Sequence, residues 1–113
     1  LDPTALAILG GAIGLAGAMA GSSIGVGIAA SAGAGTLAEE PGQFRNVILL
    51  SSLPMTQTFY GLIILIIIIS TVLGNITTTG NGLAVLGCGI FVAAAEGFSA
   101  AYQGIVCASG ISL

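Results

Sequence analysis

Leu62-Ile63-Ile64-Leu65-Ile66-Ile67-Ile68-Ile69 decides the fold, because these eight residues would form a strand in water and must form a helix in lipid. In water, a run of branched aliphatic side chains bounded by turn residues reads as a buried strand. In a bilayer, an open strand edge would leave backbone N–H and C=O groups that lipid cannot satisfy, so the run has to be helical. The surroundings favour lipid. The run lies inside an apolar segment from Val47 to Leu73, longer than the roughly 20 residues that cross a bilayer. Of the 113 residues, 56% are hydrophobic and only 4% are charged, whereas a soluble domain has about a quarter of its residues charged. Such a chain cannot cover a water-facing surface, and the expected fold class is an all-α membrane protein built from helical hairpins.

The same composition excludes several functions. Arg45 is the single basic residue and there is no histidine. Nucleic-acid binding draws its affinity from several cations displacing counterions, so no nucleic-acid partner is expected. A soluble enzyme and a disordered tail are excluded by the hydrophobicity. The net charge of −3 comes from Asp2, Glu39, Glu40 and Glu96 against that one arginine. On a single helix, Cys88 and Cys107 would lie about 28 Å apart, too far to form a disulfide.

Working outward from the isoleucine run, two more spans appear. Residues from about Thr4 to Leu37 form the first, closed by the polar stretch 38–46, and residues from about Leu83 to Leu113 form the third, opened by Gly74 to Gly82. Residues 1–77 then make one helical hairpin, with spans at about 4–37 and 47–73. Residues 78–113 make the first helix of a second hairpin. Arg45 marks the 38–46 loop as cytoplasmic by the positive-inside rule, in a multi-pass protein of the cell membrane. The sequence opens on Leu1 rather than Met and stops at Leu113 within an apolar segment, so we expect a fragment.

Small residues stripe two of the spans. Gly17, Gly21, Gly25, Ala29 and Gly33 recur at intervals of four, preceded by Gly10 and Gly14; Gly89, Ala93, Gly97 and Ala101 continue the theme in the third span. Backbones can approach closely along such faces. The middle span has one interior glycine, Gly61, among bulky aliphatics suited to face lipid. Small-residue spacing also packs an ordinary three-helix bundle, but stripes this long suggest an inner ring of thin helices inside an outer ring of thick ones. An internal repeat supports the hairpin organisation. An offset of 77 pairs Leu9 with Leu86, Gly10 with Gly87, Ile13 with Ile90, Ser22 with Ser99, Gly27 with Gly104, Ile28 with Ile105 and Gly33 with Gly110. The counterpart of the middle span would then lie beyond Leu113.

Polar groups at membrane depth carry the functional reading. Leu53-Pro54-Met55-Thr56-Gln57-Thr58-Phe59-Tyr60-Gly61 interrupts the aliphatic middle span. Pro54 withholds a donor and so frees the Leu50 carbonyl, while Thr56 and Gln57 add oxygens within one turn and Tyr60 follows Thr56 on the same side. Hard neutral oxygens of this kind suit a small cation; threonine and glutamine also tie helices together by hydrogen bonds. Folding the hairpin about Glu40 sets Met55 level with Val26, and the repeat sets Gln103 level with Val26. Gln103 should therefore meet the Pro54–Gln57 cluster. A buried cation also needs a negative charge, and the repeat places it near position 132, opposite Met55.

These residues resemble a known family. The glycine-striped first span, the loop Glu40-Pro41-Gly42-Gln43-Phe44 and above all Leu-Pro-x-Thr-Gln-x-x-Tyr-Gly over 53–61 are similar to the ring-forming proteolipids, the K or c subunits, of V-type rotary ATPases, especially sodium-translocating ones of the double-hairpin type. The resemblance implies a non-catalytic rotor subunit that carries Na⁺, or H⁺ in its place, across the membrane in step with ATP hydrolysis or synthesis. It further implies a homo-oligomeric ring in lipid, a stator a/I subunit and central-stalk subunits as partners, and no nucleotide site. By the same resemblance the Leu53 carbonyl, Thr56, Gln57 and Gln103 are Na⁺ ligands beside a glutamate on a fourth helix that Tyr60 steadies. Met55 stands where single-hairpin relatives carry their acid.

Glu96 departs from that pattern. It lies two turns before Gln103, about 10 Å toward the outer side, and an acid inside a membrane is a functional candidate by default. It is an additional carboxylate relaying the ion, an altered carrier carboxylate, or a protonated group bonded to Ser99 or another neighbour. A rival reading centres on it: a small multidrug antiporter that exchanges protons for lipophilic cations at one membrane glutamate. Such sites hold their cations with aromatic faces, and this chain has no Trp, four Phe and two Tyr.

Overall fold

The structure, a computed structural model, describes residues 2–113. It contains three long helical rods and no strand among the described residues. The first rod is α1, Pro3–Glu39. The second runs over Pro41–Asn75 and comprises a 3-10 turn at Pro41–Gln43, α2 (Phe44–Ser52), a 3-10 turn at Leu53–Met55, α3 (Thr56–Ile67), a π turn at Ile68–Val72 and a closing 3-10 turn at Leu73–Asn75. The third rod is α4, Thr79–Ser112. Local chemistry sets the ends. The Asp2 carboxylate accepts the Thr4 N–H at 3.0 Å, with Pro3 at the first helical position where its missing N–H costs nothing. Thr78 caps α4 in the same way, accepting the Asn81 N–H at 3.1 Å.

The isoleucine run is helical, as lipid requires. Its outer residues Leu62, Ile63, Ile66, Ile67 and Ile69 are exposed on the protein and form a lipid-facing surface. The polar stretch 38–46 is less of a loop than its composition suggests. Only Glu40 interrupts helical structure there, because Pro41 starts the next helix at once and the Glu40 N–H closes the first on the Thr36 carbonyl at 2.8 Å. Likewise α4 begins at Thr79 rather than Leu83. The rods are long: 37 residues in α1 span about 55 Å at 1.5 Å per residue, against a hydrocarbon core of about 30 Å. Their ends therefore project beyond the lipid on both sides.

The core is the seam between α1 and α4, which run parallel. Gly10 faces Gly89, Gly17 faces Ala93, Gly21 faces Gly97 and Gly25 faces Gly104, and near the Glu39 end of α1 the Thr36 hydroxyl donates to the Ile111 carbonyl at 3.4 Å. These partners are 75 to 79 positions apart. The spatial offset therefore equals the repeat offset of 77 to within two residues, about 3 Å of helix rise. Repeat-related residues lie at equal depth, so α4 is α1 carried sideways with almost no shift along the axis. The approach is backbone to backbone: a methyl placed on Gly21 would lie 2.5 Å from the Gly97 Cα, where no atom fits. One detail departs from the stripe read in the sequence. Ala100, not Ala101, is the fully buried residue of α4 at that level, because a strict interval of four drifts around a helix of 3.6 residues per turn and the contact face must step back by three.

The second rod as a whole, Pro41–Asn75 and hereafter helix two, lies in the groove over this seam on its Val47, Pro54, Gln57, Gly61 and Ile68 face, all buried. Gly61 brings it against Ala18 and Leu15. Cys88 and Cys107 are both free thiols on α4.

Replacing Gly21 with Leu should separate α1 from α4 and destabilise the folded protein by about 1–3 kcal/mol, read as a lower midpoint in thermal melts in detergent. Gly35→Ala, where a Cβ meets nothing within 4 Å, should leave that midpoint unchanged or slightly raised.

Candidate functional site

Pro54 builds the site. Lacking an N–H, it cannot bond the Leu50 carbonyl, and the chain tightens into the 3-10 turn Leu53–Met55, whose end is marked by the Thr56 N–H donating to the Leu53 carbonyl. The proline ring is fully buried and sits against Gly25; a Cβ at Gly25 would come within 2.8 Å of the Pro54 Cβ. Proline and glycine thus lock helix two onto α1 at one depth. They turn Gln57 inward, where only 6% of its surface remains exposed.

Five oxygens gather there. The Thr56 hydroxyl lies 3.1 Å from the Leu53 carbonyl oxygen and 3.1 Å from Gln57 Oε1. Gln57 Nε2 donates to Gln103 Oε1 at 2.8 Å and to Ser99 Oγ at 3.1 Å. Both hydrogens of the Gln57 amide are therefore used. The single hydroxyl hydrogen of Thr56, in contrast, has two acceptors and can serve only one at a time. The cluster holds more oxygen acceptors than hydrogens on its Thr56 side, which is the imbalance a small cation corrects. A cation held by Gln103 Oε1 as well would have to displace the Gln57 Nε2 donor that this oxygen accepts from.

The expected meeting of helix two with α4 is present: Leu53, Thr56, Gln57 and Gln103 come together, and Met55 and Val26 line one cavity, in keeping with a common depth. Tyr60 is one turn from Gln57 and exposed. Glu96 is half-buried on α4, and no side-chain hydrogen bond among the described residues joins it to Ser99; that hydroxyl takes the Gln57 amide instead. Ser99 is the site residue that sequence reasoning missed. The signal was available, since Ser99 precedes Gln103 by four residues and so shares its helix face.

The repeat explains why the cluster occurs once. Ser22 and Val26 of α1 correspond to Ser99 and Gln103 of α4. With valine in place of the glutamine, no polar pair forms, and the buried Ser22 hydroxyl has no partner among the described residues.

A parallel pair of glycine-seamed membrane helices, clasped by a third that carries a proline-centred oxygen cluster, defines a membrane proteolipid with an intramembrane polar site. Comparison with known sequences places it: the chain belongs to the ATP synthase C-subunit family, whose sequence model matches residues 5–68. It is 36% identical over 113 residues to the A-type ATP synthase subunit K of Methanocaldococcus jannaschii, an alignment that takes in 98% of this chain and 48% of that protein. It is also 36% identical over 93 residues to the V-type sodium ATPase subunit K of Enterococcus hirae, covering 82% of this chain and 59% of that protein. The chain thus spans about half the length of these relatives. The family does not favour the multidrug-antiporter reading centred on Glu96.

A double-mutant cycle on Gln57→Leu and Gln103→Leu should give a coupling energy of about 0.6–1.7 kcal/mol, the range for hydrogen bonds between membrane helices. Unfolding in mixed micelles reads it, and purely additive effects would mean that the amide pair does not form.

Proposed function

We propose that this chain is an ion-carrying, non-catalytic rotor subunit of a membrane rotary ATPase or ATP synthase. It would move Na⁺, or H⁺ in its place, across the membrane in a ring of identical copies. The observation that carries the reading is the convergence of the Leu53 carbonyl, Thr56, Gln57 and Gln103 at one depth in a chain of the ATP synthase C-subunit family. The V-type sodium ATPase subunit K among its relatives favours Na⁺ as cargo, and so does the donor set, since a proton needs only one carboxylate whereas Na⁺ needs several hard oxygens.

The mechanism follows from desolvation. A monovalent cation stripped of water at mid-bilayer must recover its hydration energy from protein oxygens and an anion. The four oxygens supply the first part; the anion would come from the counterpart of helix two in a second hairpin, level with Met55. With ion and carboxylate paired, the site is neutral and can pass through lipid as the ring turns. Once the ion leaves, the bare carboxylate is too costly to expose to lipid and holds the ring until another ion binds. Stator a/I and central-stalk subunits are the partners this cycle requires, the Glu40–Phe44 turn being the element placed to touch the stalk on the cytoplasmic side. Tyr60 would steady the carboxylate.

Support for a ring comes from the α1–α4 relation. An interface that carries one helix onto the next with almost no rise is compatible with a ring, which closes when the operation also turns by a whole fraction of the circle, whereas one with a rise would grow into a filament.

Thr56→Val in the intact complex should raise the Na⁺ concentration for half-maximal ATP hydrolysis by about tenfold, equivalent to about 1.4 kcal/mol, with little change in helicity. Hydrolysis that does not depend on Na⁺ in the unsubstituted complex, at any pH, would instead assign the proton as cargo.

A further inference from the structure

The α1–α4 seam leaves two faces uncovered, and the repeat says how they fit. On α4, the residues that correspond to Gly14, Gly21 and Gly25 of α1 are Phe91, Phe98 and Tyr102. They are the largest side chains on that helix and are exposed by 72%, 67% and 64%. At 3.6 residues per turn they lie roughly 160° around α4 from the glycines that meet α1. On α1, the residues that correspond to the buried contact face of α4 are Ala12, Ala16, Ala20, Ser23 and Gly27, all exposed. Helix two meets lipid with leucine and isoleucine, so a small-residue face on α1 suits a protein neighbour rather than an acyl chain.

Applying the α1-to-α4 operation once more brings these faces together. We infer that the seam between copies is of a different kind from the seam within a copy: the Phe91–Phe98–Tyr102 ridge of one copy seats in the shallow face of Ala12, Ala16, Ala20, Ser23 and Gly27 on α1 of the next. The inference rests on the ring reading and gives its contact a chemistry. Within a copy, Gly14 faces Gly89 and Val92, Gly21 faces Gly97, and Gly25 faces Ala100 and Gly104. Between copies the same operation sets Phe91 against Ala12 and Leu15, Phe98 against Ala20, and Tyr102 against Ser23 and Gly27. An aromatic ring meets at least one small residue at every level, where glycine meets mostly glycine or alanine within the copy. Inner helices would therefore alternate between close backbone contact and a wider seam filled by aromatic rings.

The one polar atom of the ridge is accommodated. A phenol in an apolar seam needs a hydrogen-bond partner. The Ser23 hydroxyl already donates to the Met19 carbonyl at 2.8 Å and keeps its lone pairs to accept the Tyr102 O–H. Phe98 also borders a groove of about 230 Å³ with Gly17, Ala20, Gly21 and Gly97.

The test uses the intact protein with Cys88→Ala and Cys107→Ala as background. Ala16→Cys with Ala94→Cys places thiols at the inter-copy equivalents of the Ala93–Gly17 contact and leaves the ridge whole. A short bifunctional thiol reagent should then give a ladder of dimer, trimer and higher multiples on a denaturing gel, whereas Ala16→Cys with Ile63→Cys, on the lipid face of helix two, should give monomer. A multimer of native mass that yields no ladder from the first pair would overturn the inference and leave the ring standing. Absence of any multimer in the unsubstituted protein would remove the ring and the inference together. Phe91→Ala with Phe98→Ala tests the ridge itself. With helicity unchanged by circular dichroism, the detergent-resistant multimer should be lost at a lower temperature; an unchanged dissociation temperature would mean that the ridge faces something else.

Discussion

Everything in this protein depends on two backbones touching. Along most of their length α1 and α4 meet through glycine and alanine, and Gly21 against Gly97 leaves no room for a methyl group. Lipid supplies no hydrophobic force to drive helices together, so their association rests on dispersion between closely fitted surfaces. A glycine seam maximises that fit and fixes the register, since any sliding would drive Ala93 or Ala100 into the opposite backbone. Register then fixes depth. Because α4 is held at the repeat offset, Gln103 lies level with Val26, and because Pro54 seats on Gly25, Gln57 lies at the same level on the other side.

The polar cluster follows from this alignment. In lipid a glutamine amide must find partners, and Gln57 uses both hydrogens and its oxygen within the protein. The cluster nevertheless carries surplus acceptors, through the Leu53 carbonyl and the twice-claimed Thr56 hydroxyl. A network that satisfies the Gln57 amide without an ion and still has oxygen lone pairs to spare could trade an internal hydrogen bond for a cation. That property suits a carrier, which must release as well as bind. The α1 counterpart lacks it, as the partnerless Ser22 hydroxyl beside Val26 illustrates.

Much of this was legible in the sequence, for physical reasons. Lipid removes the strand alternative for Leu62–Ile69, so the secondary structure of the spans is forced. A repeat carries depth information, so the Gln57–Gln103 pairing could be read by counting residues. What could not be read depends on finer details. The helical character of 41–46 comes from a proline immediately after a single break at Glu40, which composition renders as a polar loop. The step from Ala101 to Ala100 comes from the mismatch between an interval of four and a turn of 3.6. The π turn at Ile68–Val72 has no mark in a uniform aliphatic run. Ser99 is easily missed because a serine in a helix usually bonds its own backbone, as Ser23, Ser52 and Ser70 do here.

Oxygens from two helices converge at one depth, and a cation held there would be visible directly. An electron-microscopic map of the intact complex in saturating Na⁺ is the test. Density for an ion enclosed by the Leu53 carbonyl, Thr56 Oγ1, Gln57 Oε1 and Gln103 Oε1 is expected, with Gln103 drawn off the Gln57 amide nitrogen. A map that keeps the two glutamines bonded to each other, with no ion between them under those conditions, would contradict a cation site there.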